Sequence, residues 1–251
     1  MYDLAELSTL TRKEKRILKR KGQLEKPEEK KPNLGNLNLK TVLPLTDNQE
    51  KTFTAYREGK NLLLHGMAGT GKTYISMYLA LQDVLRHHTY DNVTLVRSVV
   101  PTRDMGFLPG NQKEKTKAYE QPYFPIAKDL FGRSDAYDIL KNKGIVNFMS
   151  TSFIRGTTIE DSIIIVDEVE NLTFHEIDSV ITRCGKNSKI IFCGDFRQSD
   201  LQRFEDRQGL KKFMEIVSKL RSFDYIEFTQ DDIVRSGLVR EYIIAKSDLG
   251  F

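Results

Sequence analysis

Apolar and polar residues alternate along this chain in short blocks, and the block lengths separate strands from helices. Mostly apolar runs of four or five residues recur at 61–65, 93–97, 145–149, 163–166, 189–193 and 224–228, and each predicts a strand. The run at 163–166 is four uninterrupted aliphatics, as a strand covered on both faces requires. Helical spacing fills the gaps. Thr46-Asp47 caps a helix to about Gly59, a second helix covers about 71–86, and Thr173-x-x-Glu176 is a capping box that opens a helix to about Arg183. Further helices are predicted before residue 145 and over about 206–220 and 236–246. A polar stretch with Gly106, Pro109 and Gly110 reads as a long loop running to about Pro122. Strands alternating with helices predict an α/β fold, a parallel sheet flanked by helices.

The first 44 residues break this pattern. Residues 8–22 predict a short basic helix with Leu10, Ile17 and Leu24 seven apart, and 25–44 carry Pro27, Pro32, Pro44 and Gly35 as a linker. We therefore expect a basic N-terminal helical arm and linker at 1–44 and one domain at 45–251. Charge follows the same division. Residues 1–40 hold 11 Lys and Arg against 6 Asp and Glu, and the rest of the chain holds 28 against 29, so the whole basic excess lies in the arm. Such an arm suits a polyanionic partner. No run approaches the roughly 18 apolar residues of a membrane span, and the N-terminus lacks a signal-peptide core, which predicts a cytoplasmic protein without membrane contact. Cys184 and Cys193 and the four histidines show no metal-ligand spacing.

Chemistry enters at Gly66-Met67-Ala68-Gly69-Thr70-Gly71-Lys72-Thr73, which fits the phosphate-loop template G-x-x-x-x-G-K-[ST] between a predicted strand and helix. Backbone N–H groups of such a loop cradle phosphates, and the following helix points its positive end at the same anion. Lys72 is expected to reach the β and γ phosphates of ATP, and the Thr73 hydroxyl to ligate Mg²⁺. After the aliphatic run at 163–166, Asp167 is expected in the Mg²⁺ shell, and Glu168 to orient and deprotonate the attacking water. Gly194-Asp195-Phe196-Arg197-Gln198 follows the next strand, where the amide of Gln198 can contact both water and γ phosphate. Gln49 lies upstream with a donor–acceptor amide suited to an adenine edge.

Several rarer strings accompany these motifs. Gly106-Phe107-Leu108-Pro109-Gly110 with Lys113 and Lys115, Ile154-Arg155-Gly156-Thr157-Thr158, Ile181-Thr182-Arg183-Cys184-Gly185 with Ser188-Lys189, and Asp232-x-Val234-Arg235 together resemble the PhoH-like family, over about residues 40–245. That resemblance implies a RecA-like P-loop ATPase akin to the first motor domain of superfamily 1 helicases, and it implies that Gln49 contacts adenine. Two positions depart from the family pattern. Glu170 in Asp167-Glu168-Val169-Glu170-Asn171 stands where the family tends to carry glutamine, and the family's TRP string near the second strand appears here as Val96-Arg97-Ser98.

The chain reads as one motor domain, whereas superfamily 1 motors draw a catalytic arginine from a second. We therefore expect a neighbouring subunit to supply one, in a homo-oligomer, most simply a hexameric ring, with Arg235, Arg183 and Arg155 as candidates. The expected activity is Mg²⁺-dependent ATP hydrolysis coupled to single-stranded RNA or DNA, with the basic helix and Lys113, Lys115 and Lys117 as phosphate contacts. The alternative is an ATP-dependent switch or assembly factor whose arm binds proteins. Steep salt dependence of binding separates the two.

Overall fold

Aliphatic runs with no polar face must be covered on both sides, and β4 (Ser162–Val166) lies at the middle of a sheet with every residue buried. The structure, a computed structural model, describes residues 37–98, 117–195 and 204–249, and the side chains of 204–208 are not described. The predicted basic helix, the loop glycines with Lys113 and Lys115, and Gln198 lie outside the described residues.

Six parallel strands form one sheet in the order β3-β2-β4-β5-β1-β6. They are β1 (Asn61–Gly66), β2 (Asn92–Arg97), β3 (Val146–Ser150), β4, β5 (Lys189–Gly194) and β6 (Phe223–Phe228). The helices between them are α1 (Asp47–Arg57), α2 (Lys72–Gln82), α3 (Tyr123–Phe131), α4 (Ala136–Asn142), α5 (Phe174–Ile181), α6 (Phe204–Ser218) and α7 (Leu238–Asp248). This is the α/β class that the alternating pattern predicts. The interior strands β1, β4 and β5 are buried almost throughout, while the edge strand β6 alternates and leaves Tyr225 43% exposed. Val96, Ile164, Val166, Phe192 and Phe213 belong to one continuous core cluster on the side of the sheet that α5 and α6 cover.

Caps form where the sequence places them. The Thr46 side chain accepts from the N–H of Gln49, and Thr173 and Glu176 make a reciprocal capping box at α5. Two details differ from the sequence pattern. The helix expected to about residue 86 is α-helical only to Gln82 and continues as a π turn, Asp83–His87. There the Tyr56 hydroxyl donates to Asp83 and the Arg86 guanidinium donates to the Leu39 carbonyl, so tertiary partners claim both ends of the turn. Residues 37–44, expected to end the linker, pack on the domain. Leu37 and Leu39 are buried, and the Lys40 N–H donates to the Leu130 carbonyl.

Parallel strands bring all their C-terminal ends to one edge, where loops from distant parts of the chain meet. Two glycines make that meeting possible. Gly66 has φ +120°, and a Cβ there would stand 2.0 Å from the Phe228 carbonyl oxygen. Gly194 ends β5 under the turn at 169–171, and a Cβ there would stand 2.4 Å from Glu170 Oε2. Any side chain at either position would push the neighbouring loop away.

Candidate functional site

The loop from Gly66 to Thr73 joins β1 to α2. Lys72 is buried within it, and its Nζ donates to the carbonyls of Gly66 and Met67, each at 2.7 Å, and to Thr70 Oγ1 at 3.4 Å. Burial lowers the ammonium pKa, against the opposing pull of Asp195, Glu170 and Asp167. A cation held among neutral carbonyls gains when an anion arrives, so the loop is poised for phosphate.

β5 lies between β1 and β4, yet Thr73 and Asp167 meet across its end, Thr73 Oγ1 donating to Asp167 Oδ1 at 2.8 Å. Tyr123, wholly buried at the start of α3, donates to the other oxygen, Oδ2, at 3.1 Å. Burial pushes the Asp167 carboxyl up, opposed by Thr73, Arg97 and Tyr123. Thr73 and Asp167 thus present hard oxygen donors side by side. Among the described residues no cluster of three His, Cys, Asp or Glu side chains could hold a metal unaided. This sparse donor set fits Mg²⁺, which commonly takes one or two protein oxygens and completes its shell with substrate phosphates and water.

Glu168 follows with φ +51°, a left-handed backbone that sets its side chain apart from that of Asp167. Its carboxylate forms an ion pair with Arg97, the last residue of β2. Register explains the meeting: Val96 pairs with Val166, and the Asp167 N–H donates to the Val96 carbonyl. Glu170 turns the other way and accepts the N–H of Asp195 at 3.0 Å, tying the acidic turn to the end of β5. Burial pushes the Glu170 carboxyl up to about 7.

A third set of residues encloses the phosphate loop from the far side. Gln49 is buried; its Oε1 accepts the Leu45 N–H at 2.7 Å, and its Nε2 donates to the Thr70 carbonyl at 3.1 Å. Among the described residues, one hydrogen and one lone pair of this amide have no partner. Asp232 is also buried and accepts from Thr46 Oγ1 at 2.6 Å, Asn48 Nδ2 at 2.8 Å and the Thr229 N–H at 2.8 Å. Two residues on, the Val234 N–H donates to the Gly69 carbonyl at 3.1 Å. Arg235 is exposed, and its Cγ stands 3.1 Å from where a Cβ on Gly69 would lie, so its stem borders the loop of its own chain.

The structure therefore brings Lys72, Thr73, Asp167 and Glu168 to one edge of the sheet, with Gln49 and Arg235 against the loop. Arg183 and Arg155 lie on the turns after α5 and β3, and among the described residues no hydrogen bond or ion pair joins either to the phosphate loop. Three contributions to the site are not assigned from sequence. Arg97 carries a signal, a charge that ends an apolar strand. Tyr123 carries none, because it reaches Asp167 across 44 residues. The joint role of Thr46, Asn48 and Asp232 is likewise invisible before folding.

A family model described as PhoH-like protein matches residues 41–246. The PhoH-like protein of Bacillus subtilis (strain 168) is 31% identical over 210 residues, covering 84% of this chain and 65% of that protein. Protein PhoH of Escherichia coli (strain K12) is 32% identical over 193 residues, covering 76% of this chain and 54% of its own length. The chain thus spans between half and two thirds of these curated relatives. Among solved structures, the large terminase from the thermophilic bacteriophage D6E aligns with 81% of this chain and 50% of its own at TM-score 0.49 and 12% identity. With the model matched over most of its length, the chain belongs to the PhoH-like protein family.

Proposed function

We propose that this protein binds ATP with Mg²⁺ and hydrolyses its terminal phosphate, and that single-stranded RNA or DNA stimulates the reaction. One observation carries the reading: the Thr73 hydroxyl meets the Asp167 carboxylate at 2.8 Å beside the loop that buries Lys72. In this assignment the N–H groups of Ala68, Gly69, Thr70 and Gly71 cradle the phosphates, the Met67 N–H stays on the Phe228 carbonyl, and Lys72 exchanges its carbonyl partners for β and γ oxygens. Thr73 and Asp167 hold Mg²⁺, which when bound neutralises phosphate charge. Glu168 orients and deprotonates the attacking water, and Gln198 contacts that water and the γ phosphate. Arg235, its stem already on Gly69, serves the nucleotide of its own chain. Gln49 braces the loop, and its spare hydrogen and lone pair support an adenine contact.

An oligomer, most simply a hexameric ring, belongs to the same proposal. Helix α7 buries none of its residues and exposes Leu238 by 80% and Tyr242 by 66%, yet Ile243 on the same helix reaches to 3.2 Å from where a Cβ on Gly69 would lie. A second copy seated on that helix would stand beside the phosphate loop, where it can lend an arginine. Arg183, on the turn after α5, is the candidate for that contact.

The test is ATP turnover with and without oligonucleotide, together with mass measurement in solution. Lys72→Ala should abolish turnover and weaken Mg²⁺-ATP binding at least tenfold, and Gln49→Ala should reduce the preference for ATP over GTP. If Lys72→Ala binds Mg²⁺-ATP like the wild type, the site assignment is wrong. ATP turnover that neither RNA nor DNA changes leaves the switch or assembly-factor reading in its place.

A further inference from the structure

Strand β3 does not end in a bland turn. It runs into a 3-10 turn, Thr151–Phe153, that forms one wall of an open pocket of about 330 Å³ lined by Thr151, Ser152, Arg155, Glu176 and Ser179. Phe153 stands beside it with 55% of its surface exposed. Arg155 is exposed, and among the described residues it has no hydrogen-bond or ion-pair partner. The one carboxylate of the pocket, Glu176, is fully engaged. Its Oε1 accepts from Thr151 Oγ1 at 2.6 Å and Ser98 Oγ at 3.3 Å, and its Oε2 accepts from the Thr173 N–H at 2.9 Å and Thr173 Oγ1 at 3.0 Å. Four donors hold that charge in place, so Glu176 braces the pocket wall and Arg155 sets its outward character.

We infer that this pocket is a docking point for single-stranded nucleic acid, which deepens the function proposed above and rests on it. Arg155 takes a backbone phosphate with the Ser152 hydroxyl beside it, and Phe153 offers its ring to an adjacent base. The chemistry selects this partner. A guanidinium and a hydroxyl suit a phosphate diester, and an exposed ring next to them can stack on an unpaired base. A duplex keeps its bases stacked and would leave Phe153 in water.

The pocket is also wired to the proposed base from two directions. Ser98, which donates to Glu176, follows Arg97, which pairs with Glu168. Thr173 and Glu176 open α5, only the turn at 169–171 away from Glu168. Occupancy of the pocket therefore presses on the two segments that hold Glu168, and this supplies a route for stimulation.

Anisotropy of fluorescein-labelled oligouridylate and oligothymidylate, titrated across a salt series, tests the inference. Arg155→Ala should weaken binding about tenfold and reduce the salt slope by about 0.7, the value of one single-strand phosphate. Phe153→Ala should weaken binding about tenfold with the slope unchanged, and Phe153→Trp should bind at least as tightly as the wild type. Both side chains are exposed, and a thermal melt like that of the wild type establishes that each variant folds. If the wild type binds but both alanine variants bind equally well, the pocket is not the docking point, while the nucleic-acid reading stands. If the wild type binds neither oligonucleotide, that reading and this inference fall together. If poly-glutamate displaces the oligonucleotide and Phe153→Ala changes nothing, the surface takes acidic peptides and the inference is overturned.

Discussion

At the residue scale, the side chain next to the reacting groups that most needs explaining is Arg97. Its guanidinium is largely buried and pairs with Glu168. A base that must align a water molecule loses rate when its carboxylate is free to swing, and small misplacements cost one to two orders of magnitude. Arg97→Ala should therefore lower kcat for ATP about 10- to 100-fold with KM nearly unchanged, and Arg97→Lys should restore part of it. A rise in KM with kcat intact would instead place Arg97 in nucleotide binding. Glu170 gives a pH prediction. Burial raises its carboxyl from 4.5 to about 7, so the stability it permits is complete below pH 4.5 and is lost as pH rises through about 7. The ionised form then costs on the order of 3 kcal/mol. Glu170→Gln should keep the Asp195 N–H bond without that cost. Thermal melts should show the variant more stable than the wild type at pH 8.5, with the gap closing towards pH 5.5.

At the scale of elements, the phosphate loop is held by segments far from it in sequence. Asp232 receives hydrogen bonds from Thr46 and Asn48 at the start of α1 and from Thr229 after β6. Asp232→Ala leaves these donors without their common acceptor, a loss of about 1–3 kcal/mol where the groups are buried. It also loosens the segment whose Val234 N–H supports Gly69. The expected outcome is a lower Tm together with weaker Mg²⁺-ATP binding. A lower Tm with nucleotide affinity unchanged would mean that the clasp stabilises the fold but does not shape the loop. The π turn after α2 and the packed segment 37–44 belong to this scale too, because each forms through partners that only the folded chain supplies.

At the scale of the whole molecule, the exposed face of α7 carries the assembly prediction. Leu238 and Tyr242, one turn apart on α7, expose 80% and 66% of their surface, apolar area that a second copy can cover. Leu238→Glu with Tyr242→Glu should shift the mass in solution to that of a monomer while Mg²⁺-ATP binding survives. An unchanged mass would remove α7 from the interface. Among the described residues, no helix is long and apolar enough to cross a membrane.

What the sequence determined by itself was local or periodic. Four aliphatics at 163–166 read as a covered strand, Thr173-x-x-Glu176 could cap its own helix, and the glycines and Lys72 lie within eight consecutive residues. Such signals are complete within a few residues, so no distant contact is needed to read them. Tertiary structure decided everything that depends on which strands are neighbours. Insertion of β5 between β1 and β4 put Thr73 against Asp167, and the register of β2 on β4 put Arg97 against Glu168. The same folding turned Gln49 inward onto Thr70 and set the stem of Arg235 against Gly69. Pairing in a parallel sheet joins residues separated by whole crossover units, and nothing in their local spacing encodes the partner.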